Sequence, residues 1–417
     1  MHDFPQGTVS ISGALRSPRN LVFGTGQRAA LPAYAHALGA NIFVVTDARL
    51  AATDEFERLM GQLSTNGANV RVFSGVQAEL PLECIHEGAE VGRRLGAEVV
   101  VGIGGGSCID AAKAIAVLLT HGGQLSDYYG EFKVPGPIVP VIAIPTSSGT
   151  GSEVTPVAVV ADPDRALKIG IASPRLIPDT AICDPELTYT CPPTLTAHSG
   201  ADALTHAIEA FTAARRPWTP QLVHQSVFVG KNGLSDHFAL RAIELLAANL
   251  KRAYDNGGDR QARASVMLGA TLAGLAFGTA GTAGAHALQY PIGAATGTPH
   301  GLGVAVMLPY VMAFNRSSCL PEFAMIARAM GVDGSGASDE EASERAIEAV
   351  ETLFASVGIP RSVAELGLQP QDLEQTVEQA QMARRLVDNN PKPLDTAALS
   401  RIVQAALAGD RAHLGHI

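Results

Sequence analysis

Four residues in the second half of the chain have the types and spacing of a metal site. Asp202 and His206 stand four apart in the segment SGADALTHAIEAF, so on a helix they share one face. His286 and His300 stand fourteen apart in GAHALQYPIGAATGTPHG. Together one carboxylate and three imidazoles form an N3O ligand set that suits Fe²⁺ or Zn²⁺ and leaves room for a substrate oxygen. Taken singly, each is also typical of a surface pair or a packed core histidine.

A glycine-rich turn in the first half predicts a phosphate-binding site. In EVVVGIGGGSCIDAAK (98–113) an apolar strand runs directly into three glycines and then into a helix. Glycines let the backbone approach a ligand closely. Ser107, followed three residues later by Asp110, has the pattern of a helix capping box, and a helix N-terminus attracts anions. The alternative is a tight strand–helix turn without a ligand.

Polar groups also follow two other predicted strands. Asp47 ends IFVVTD, 21 residues after Gly26 of an FGTG turn. A carboxylate there accepts a hydrogen bond from a ribose 2′-hydroxyl and repels a 2′-phosphate, although strand-end aspartates also cap turns. In PTSSGTGSEVT (145–155) six of eleven residues are Ser or Thr. This loop is expected to bond a pyrophosphate or a nicotinamide ribose, the alternative being an ordinary solvated loop.

The elements that must position these residues change in style near residue 190. Before it, short apolar strands alternate with amphipathic helices, which predicts an α/β domain with a parallel sheet covered on both faces. The predicted strands are 42–46, 70–73, 98–103 and 139–144, and the helices between them are 82–95 and 107–119. The predicted domains are therefore 1–190 and 191–417.

The second domain is predicted to be all helical, because it is rich in Ala and Leu and has few β-branched runs. Its predicted helices are 201–214, 234–254, 260–277, 343–356 and 370–387. Residues 215–233 fit neither style and predict a long loop between two helices. His286 is expected at the end of an apolar helix, and His300 after a Thr-Pro turn.

Composition excludes several classes of protein. The 417 residues carry a net charge of −10, and no run of basic residues is longer than a pair, which argues against a nucleic-acid or anionic-membrane partner. No stretch reaches the ~18–20 apolar residues needed to cross a bilayer. The five cysteines are scattered without a CxxC pair, and the first ten residues lack a signal-peptide pattern, so a cytoplasmic location is expected.

Four motifs in order, GGGSCIDAAK, PTSSGTGSEVT, GADALTHAIEAF and HALQYPIGAATGTPHG, resemble the iron-containing (group III) alcohol dehydrogenase family. The resemblance extends over nearly the whole chain, from FGTG to LPYVMAFN. It implies a Rossmann-like NAD-binding domain followed by an all-helical metal-binding domain, a dehydroquinate synthase-like architecture with the active site between the two. It also implies that the metal ligands are Asp202, His206, His286 and His300. The NAD site it implies consists of Asp47, Gly105, Gly106, Ser107, Thr146, Ser147, Thr155, Lys168 and Leu187.

Three features depart from the family pattern. Glu79 stands where most relatives carry an Asn, and Tyr290 stands where many carry a second His four residues after His286. The 215–233 segment is longer than usual. Tyr290 and the insertion resemble the hydroxyacid–oxoacid transhydrogenase branch, in which NAD stays bound.

Three functions are consistent with these motifs. The first is a metal- and NAD-dependent alcohol dehydrogenase or aldehyde reductase. The second, the transhydrogenase, needs a fixed cation for its acid substrates, which Arg215, Arg216 or Lys231 could supply. The third, a sugar-phosphate cyclising lyase of the same architecture, needs basic residues near the metal, and the segments around His206 and His300 have none.

The first function assigns specific chemistry to the site. The metal, Fe²⁺ or Zn²⁺, would act as a Lewis acid on a small alcohol or aldehyde oxygen while hydride passes to or from the nicotinamide. The expected catalytic residues are His286 and Tyr290, the latter a neutral hydrogen-bond donor toward substrate or, alternatively, a packing residue on Pro291. A homodimer or higher homo-oligomer is expected, because the family resemblance implies pairing through an N-terminal strand and Thr8–Ile11 is apolar and alternating.

Overall fold

The computed structural model describes residues 12–162, 167–332 and 336–414. The chain forms two compact units, one of which is Arg16–Thr190 and the other Cys191–Ile417 together with the segment that ends at Leu15. Residues 12–15 thus group with the helical unit rather than with the predicted N-terminal domain, and the Gly233 N–H donates to the Ser12 carbonyl over 3.0 Å. The predicted edge segment Thr8–Ile11 lies outside the described residues.

The first unit is an α/β structure, as predicted. Its strands are β1 Asn20–Phe23, β2 Asn41–Val45, β3 Asn69–Phe73, β4 Val99–Gly104, β5 Gly130–Glu131, β6 Val141–Pro145, β7 Val157–Asp162, β8 Leu167–Ala172 and β9 Thr180–Cys183. Its α-helices are α1 Leu31–Leu38, α2 Ala48–Ala51, α3 Asp54–Leu63, α4 Leu82–Leu95 and α5 Gly106–His121. The four predicted strands and two predicted helices are all present, with ends shifted by at most two residues.

Six strands form one parallel sheet in the order β1-β9-β6-β4-β2-β3. Successive residues of β2 face opposite sides, so Ile42 and Val44 join one apolar core while Phe43 and Val45 join the other. A strand buried on both faces must be apolar throughout, which explains the continuous run in this sequence. The remaining described strands form a small sheet in the order β5-β8-β7.

The second unit is helical. Its α-helices are α6 Pro193–Thr212, α7 Leu222–Gln225, α8 Gly233–Asp255, α9 Arg260–Ala280, α10 Gly284–Thr296, α11 His300–Asn315, α12 Leu320–Ala329, α13 Asp339–Ser356, α14 Leu373–Met382, α15 Arg384–Val387 and α16 Thr396–Ala408. The predicted long loop contains the short helix α7, and the predicted helix 370–387 is divided into α14 and α15. The predicted fold class, a parallel α/β domain followed by a helical domain, is confirmed.

One helix end differs from the sequence prediction in a way that matters for the site. The apolar helix α9 ends at Ala280, because Gly281 adopts a positive φ of 85° that a helix does not accommodate and that favours glycine. A new helix, α10, then begins at Gly284 and carries His286 in its first turn. The prediction that His286 ends the apolar helix is therefore wrong.

Helix length and composition determine whether a segment can cross a bilayer. Among the described residues, no single helix is long and apolar enough to cross a bilayer. One pair, α9 and α10, passes the same test only when the two are taken together, and they are bent by 103° at their junction.

Candidate active site

The four predicted metal ligands come from three helices of the helical unit. Asp202 and His206 share one face of α6, as their spacing predicts. His286 lies in the first turn of α10, and His300 is the first residue of α11. At Gly301 an added Cβ would lie 2.4 Å from the His198 carbonyl oxygen, so a glycine is required there for α11 to begin this close to α6.

The ligand atoms converge on one carboxylate oxygen. The Oδ1 atom of Asp202 lies 3.7 Å from the Nε2 atoms of both His206 and His286, and 3.9 Å from that of His300. Asp202, His206 and His286 are buried and offer one ligand atom each, all within 4.8 Å of one another. His300 lies at the open side of the group, with its side chain 26% exposed.

These separations fit a shared cation better than direct hydrogen bonds. A hydrogen bond would bring nitrogen and oxygen to about 2.7–3.2 Å, which is shorter than each of the three distances. Ligand atoms placed about 2.1 Å from one tetrahedral ion stand roughly 3.4 Å apart, close to what is found here. The Nε2 atom of His286 is buried and makes no hydrogen bond, as expected of a nitrogen reserved for a metal.

Two buried side chains hold the outer nitrogens of the histidines. The Nδ1 atom of His286 lies 2.6 Å from Oε2 of Glu209, and Nδ1 of His300 lies 2.6 Å from Oε1 of Gln289. The ring of His206 instead stacks on that of Phe277, with centroids 4.2 Å apart. The sequence prediction did not include Glu209 or Gln289.

The predicted nucleotide site lies in the α/β unit, at the carboxyl edge of its sheet. From β2 the chain moves to β3 on one side, and from β4 it moves to β6 on the other, so β2 and β4 flank a topological switch point. Open α/β sheets bind ligands outside the strand ends at such a point. Asp47 follows β2 and Gly105 follows β4, and the Sγ atom of Cys108 lies 3.8 Å from Oδ2 of Asp47. The predicted glycine turn and strand-end carboxylate are thus neighbours.

The glycine turn leads into α5 without a side-chain cap. Gly104 has φ +149°, a conformation that favours glycine, and Gly105 is the residue preceding the helix. The predicted capping box of Ser107 and Asp110 is wrong, because the Asp110 carboxylate instead accepts hydrogen bonds from the Ser152 hydroxyl and, over 3.0 Å, the Val159 N–H. The first N–H groups of α5 therefore have no side-chain cap, which suits an anion.

The hydroxyl-rich loop lies beside this turn. Its Thr146 N–H donates to the Gly104 carbonyl over 2.9 Å, and the Ser147 Oγ lies 3.6 Å from where a Cβ on Gly105 would be. Thr155 is buried deeper, where the Lys113 ammonium donates to its carbonyl over 3.0 Å. Burial lowers the pKa of Lys113 to about 8. Thr155 is thus a residue that anchors the loop.

Two further predicted NAD residues have other contacts in the α/β unit. Lys168, on β8, forms an ion pair with the Glu79 carboxylate, the residue that departs from the family pattern. Glu79 and the following Leu80 both adopt left-handed backbone, with φ 64° and 57°. Leu187 follows β9 and packs against the apolar core that contains Ile182.

Comparison with known proteins identifies the family. The family model for iron-containing alcohol dehydrogenases matches residues 18–185, and the model for the C-terminal domain of the same family matches residues 196–407. The chain belongs to the iron-containing alcohol dehydrogenase family. It is an oxidoreductase of the alcohol dehydrogenase type, and the family resemblance inferred from the sequence motifs is confirmed.

Individual relatives cover most of the chain. Long-chain-alcohol dehydrogenase 1 of Geobacillus thermodenitrificans is 39% identical over 376 residues, which are 89% of this chain and 91% of the relative. NAD-dependent methanol dehydrogenase of Bacillus methanolicus is 35% identical, over 87% of this chain and 91% of the relative. The crystal structure of a 1,3-propanediol oxidoreductase superposes with a TM-score of 0.88 at 31% identity, covering 95% of this chain and all of the other.

The relatives favour an alcohol dehydrogenase over the transhydrogenase alternative. Of the three candidate cations for that alternative, two are paired with carboxylates, whereas Arg216 contacts the Ser226 hydroxyl over 3.5 Å. Arg215 donates to the Glu322 carboxylate over 2.7 Å. Lys231 is buried, donates to Asp236 over 2.8 Å and lies over the Phe211 ring. Arg215 and Lys231 thus anchor the long 215–233 segment of this family member to the neighbouring helices α12 and α8.

Tyr290 lies near the open side of the ligand group. Helix α10 continues through Pro291, so Tyr290 stands one helical turn after His286, as expected. Its ring is tilted against that of His300, with the centroids 6.1 Å apart. Tyr290 is partly exposed, as is His300, the most exposed of the four predicted ligands of this alcohol dehydrogenase.

Proposed function

We propose that the protein is a metal-dependent oxidoreductase that transfers hydride between NAD(H) and a small alcohol or aldehyde. The observation that supports this most directly is the convergence of three imidazole nitrogens on one carboxylate oxygen, at 3.7, 3.7 and 3.9 Å. Family membership and the named activities of the relatives support the same reaction class.

The proposed metal ligands are Asp202, His206, His286 and His300. Their N3O donor set suits Fe²⁺ or Zn²⁺, and we propose Fe²⁺ from the family to which the chain belongs. A bound divalent ion supplies Lewis acidity that polarises a carbonyl or favours ionisation of an alcohol. The chain's own contribution is to hold the four donors in place, to exclude water through their burial, and to leave the substrate side open at His300.

The proposed nucleotide site uses the carboxyl edge of the sheet. The N–H groups of Gly106 and Ser107 at the start of α5 would bind the pyrophosphate, with the hydroxyls of Thr146 and Ser147 beside them. Asp47 would accept a hydrogen bond from the ribose 2′-hydroxyl and so favour NAD over NADP. NAD supplies the hydride acceptor, and NADH the donor.

Three of the predicted NAD residues take other parts in this proposal. Thr155 supports the loop through Lys113, and Lys168 would reach the cofactor only in competition with Glu79. Leu187 would contribute apolar packing. Tyr290 would orient the substrate oxygen as a neutral hydrogen-bond donor.

The test is an assay of NADH formation over a panel of primary alcohols of increasing chain length, with NADH oxidation by the matching aldehydes. Purified protein loaded with Fe²⁺ should be active in both directions, and His300→Ala should lose nearly all activity. His237→Ala removes an exposed histidine of the same unit and serves as the matched control. Hydride exchange between a hydroxyacid and an oxoacid without net NADH release would contradict the proposal.

We also propose a cytoplasmic homo-oligomer, at least a dimer. All five cysteines lie in the described part of the chain and none is in a disulfide there, which suits a reducing compartment. Strand β1 lies at one end of the sheet order, and Leu21 on it is 41% exposed, as expected of an edge that a second subunit covers. Sedimentation showing only a 43.2 kDa species at micromolar concentration would contradict the dimer.

A further inference from the structure

We propose that Glu209 and Gln289 are positioning residues that fix His286 and His300 with their Nε2 atoms toward the metal. The inference rests on the proposed metal centre and adds two residues to it. Neither would touch the metal or the substrate; each acts through the histidine that it contacts. Their shared feature is a 2.6 Å contact to the outer nitrogen of a ligand ring.

Two backbone N–H groups and one imidazole nitrogen contact the Glu209 carboxylate. Its Oε2 atom accepts from the Ala283 N–H over 2.8 Å, and its Oε1 atom accepts from the Ala285 N–H over 2.7 Å. The same Oε2 lies 2.6 Å from Nδ1 of His286, in a site where the Glu209 side chain is 3% exposed. With Glu209 as a carboxylate, which only accepts hydrogen bonds, this contact is a hydrogen bond when Nδ1 of His286 carries the proton.

The backbone geometry shows why this carboxylate stands where it does. Glu209 is seven residues after Asp202 and three after His206, so all three lie on one face of α6. Ala283 and Ala285 flank the start of α10, and their N–H groups are among those that a helix start leaves without intrahelical partners. Glu209 thus binds the first turn of α10 and the imidazole that this turn carries.

Gln289 does the same for His300 with a neutral acceptor. It is 1% exposed, and its Oε1 atom lies 2.6 Å from the His300 Nδ1. Its amide nitrogen lies close to Gly293, where an added Cβ would be only 2.6 Å away. Gly293 therefore leaves room for the buried Gln289 amide, and the packing of this amide keeps its carbonyl oxygen toward His300.

The chemical consequence is the choice of tautomer. A neutral imidazole carries one N–H, and only the other nitrogen has a lone pair for a metal. An acceptor at Nδ1 keeps the proton there and leaves Nε2 free to bind. Such outer partners also fix the ring orientation, and their loss typically weakens metal binding by about 10–100-fold.

Substitutions at Glu209 and Gln289 test the two positioning roles separately. Glu209→Gln keeps the size of the side chain but turns an NH2 group toward one of the three groups that now donate to Glu209. It should therefore raise the Zn²⁺ dissociation constant by about 10–100-fold. Gln289→Leu removes the acceptor and should weaken it by at least about tenfold. Gln289→Glu restores an acceptor oxygen and should bind Zn²⁺ as tightly as the wild type, or more tightly.

The experiment measures Zn²⁺ binding to the metal-free full chain by competition with a chromophoric chelator. A second readout is the visible absorption of the Co²⁺-loaded proteins, which reports ligand geometry independently of activity. Glu322→Gln is the control for loss of a buried carboxylate, because Glu322 is buried and its ion-pair partner is Arg215 rather than a ligand histidine. Thermal unfolding of the metal-free forms verifies that each variant is folded.

The expected result is weak Zn²⁺ binding and an altered Co²⁺ spectrum for Glu209→Gln and Gln289→Leu, with both restored in Gln289→Glu. Wild-type affinity and an unchanged spectrum in Glu209→Gln and Gln289→Leu would overturn the positioning role and leave the metal centre intact. Failure of the wild type itself to bind Zn²⁺ or Co²⁺ would instead overturn the proposed function. If Glu209→Gln does not fold, the comparison of Gln289→Leu with Gln289→Glu is the test. A purely structural role of Gln289 would not let Gln289→Glu restore Zn²⁺ affinity.

Discussion

Replacing Asp47 by serine should relax the preference for NAD without loosening the fold. Oδ1 of Asp47 accepts from the Leu50 N–H over 2.8 Å and so caps helix α2. Serine keeps such a cap, whereas alanine loses it at a cost of about 1 kcal/mol. Asp47→Ser therefore removes the charge alone, and Asp47→Ala removes both charge and cap.

The size of the effect follows from Coulomb repulsion. A 2′-phosphate carries about −1.5 to −2 charges at neutral pH. At about 5 Å and an effective dielectric of about 20–80, the carboxylate would repel it by roughly 1–7 kcal/mol. Asp47 is partly exposed, so solvent screening favours the lower end. The ratio of kcat/KM for NADP over that for NAD should thus rise by about 10–100-fold.

The assay is steady-state kinetics with both cofactors on wild type, Asp47→Ser and Asp47→Ala, with thermal unfolding in parallel. Both variants should shift the cofactor ratio equally. Only Asp47→Ala should lose stability, by about 2–4 °C in Tm for a unit of this size. A wild type that already uses NADP as well as NAD, or an unchanged ratio in Asp47→Ser, would refute the assignment of Asp47 to the ribose.

Three further predictions concern the metal site and the buried lysine. His206→Ala should abolish activity and metal content while leaving the fold largely intact; full activity with metal removed would contradict the ligand assignment. Tyr290→Phe should lower kcat/KM by about 10–100-fold, or ~1.4–2.7 kcal/mol, with the KM for NAD unchanged, and an unaltered kcat/KM would leave only a packing role. Burial lowers the pKa of Lys113 to about 8 from an ordinary 10.5. Between pH 8 and 10.5 the unfolded state therefore binds more protons than the folded state. Over this pH range the free energy of unfolding of the wild type, relative to that of Lys113→Met, should rise by up to about 3 kcal/mol. A difference independent of pH over this range would contradict a lowered pKa of Lys113 in the folded protein.

The sequence predicted most of what local periodicity determines. Asp202 and His206 were recognisable as a pair because helical spacing puts them on one face, and continuous apolar runs indicated the central strands. Strands β1 and β9, of four residues each, were not predicted, nor were the strands β5, β7 and β8 of the small sheet. Glu209 could have been found, since it continues the same face of α6 one turn further.

What the sequence did not predict depends on contacts between distant segments. Ser107 and Asp110 have the spacing of a capping box, but Asp110 is drawn to Ser152 and Val159, 42 and 49 residues away. No local pattern indicates that Gln289 contacts His300, because the two belong to different helices. Likewise, the ion pair of Lys168 with Glu79 requires β8 and a loop before α4 to meet.

The most direct test of the account is titration of the metal-free protein with Fe²⁺ under anaerobic conditions, following NAD-linked alcohol oxidation. Activity should be absent without metal and should rise linearly to a plateau at one equivalent of Fe²⁺ per chain. Asp202→Asn, which removes the charge at the centre of the ligand group, should show no such rise. Full activity in protein verified to be metal-free would contradict the metal centre on which the proposed reaction depends.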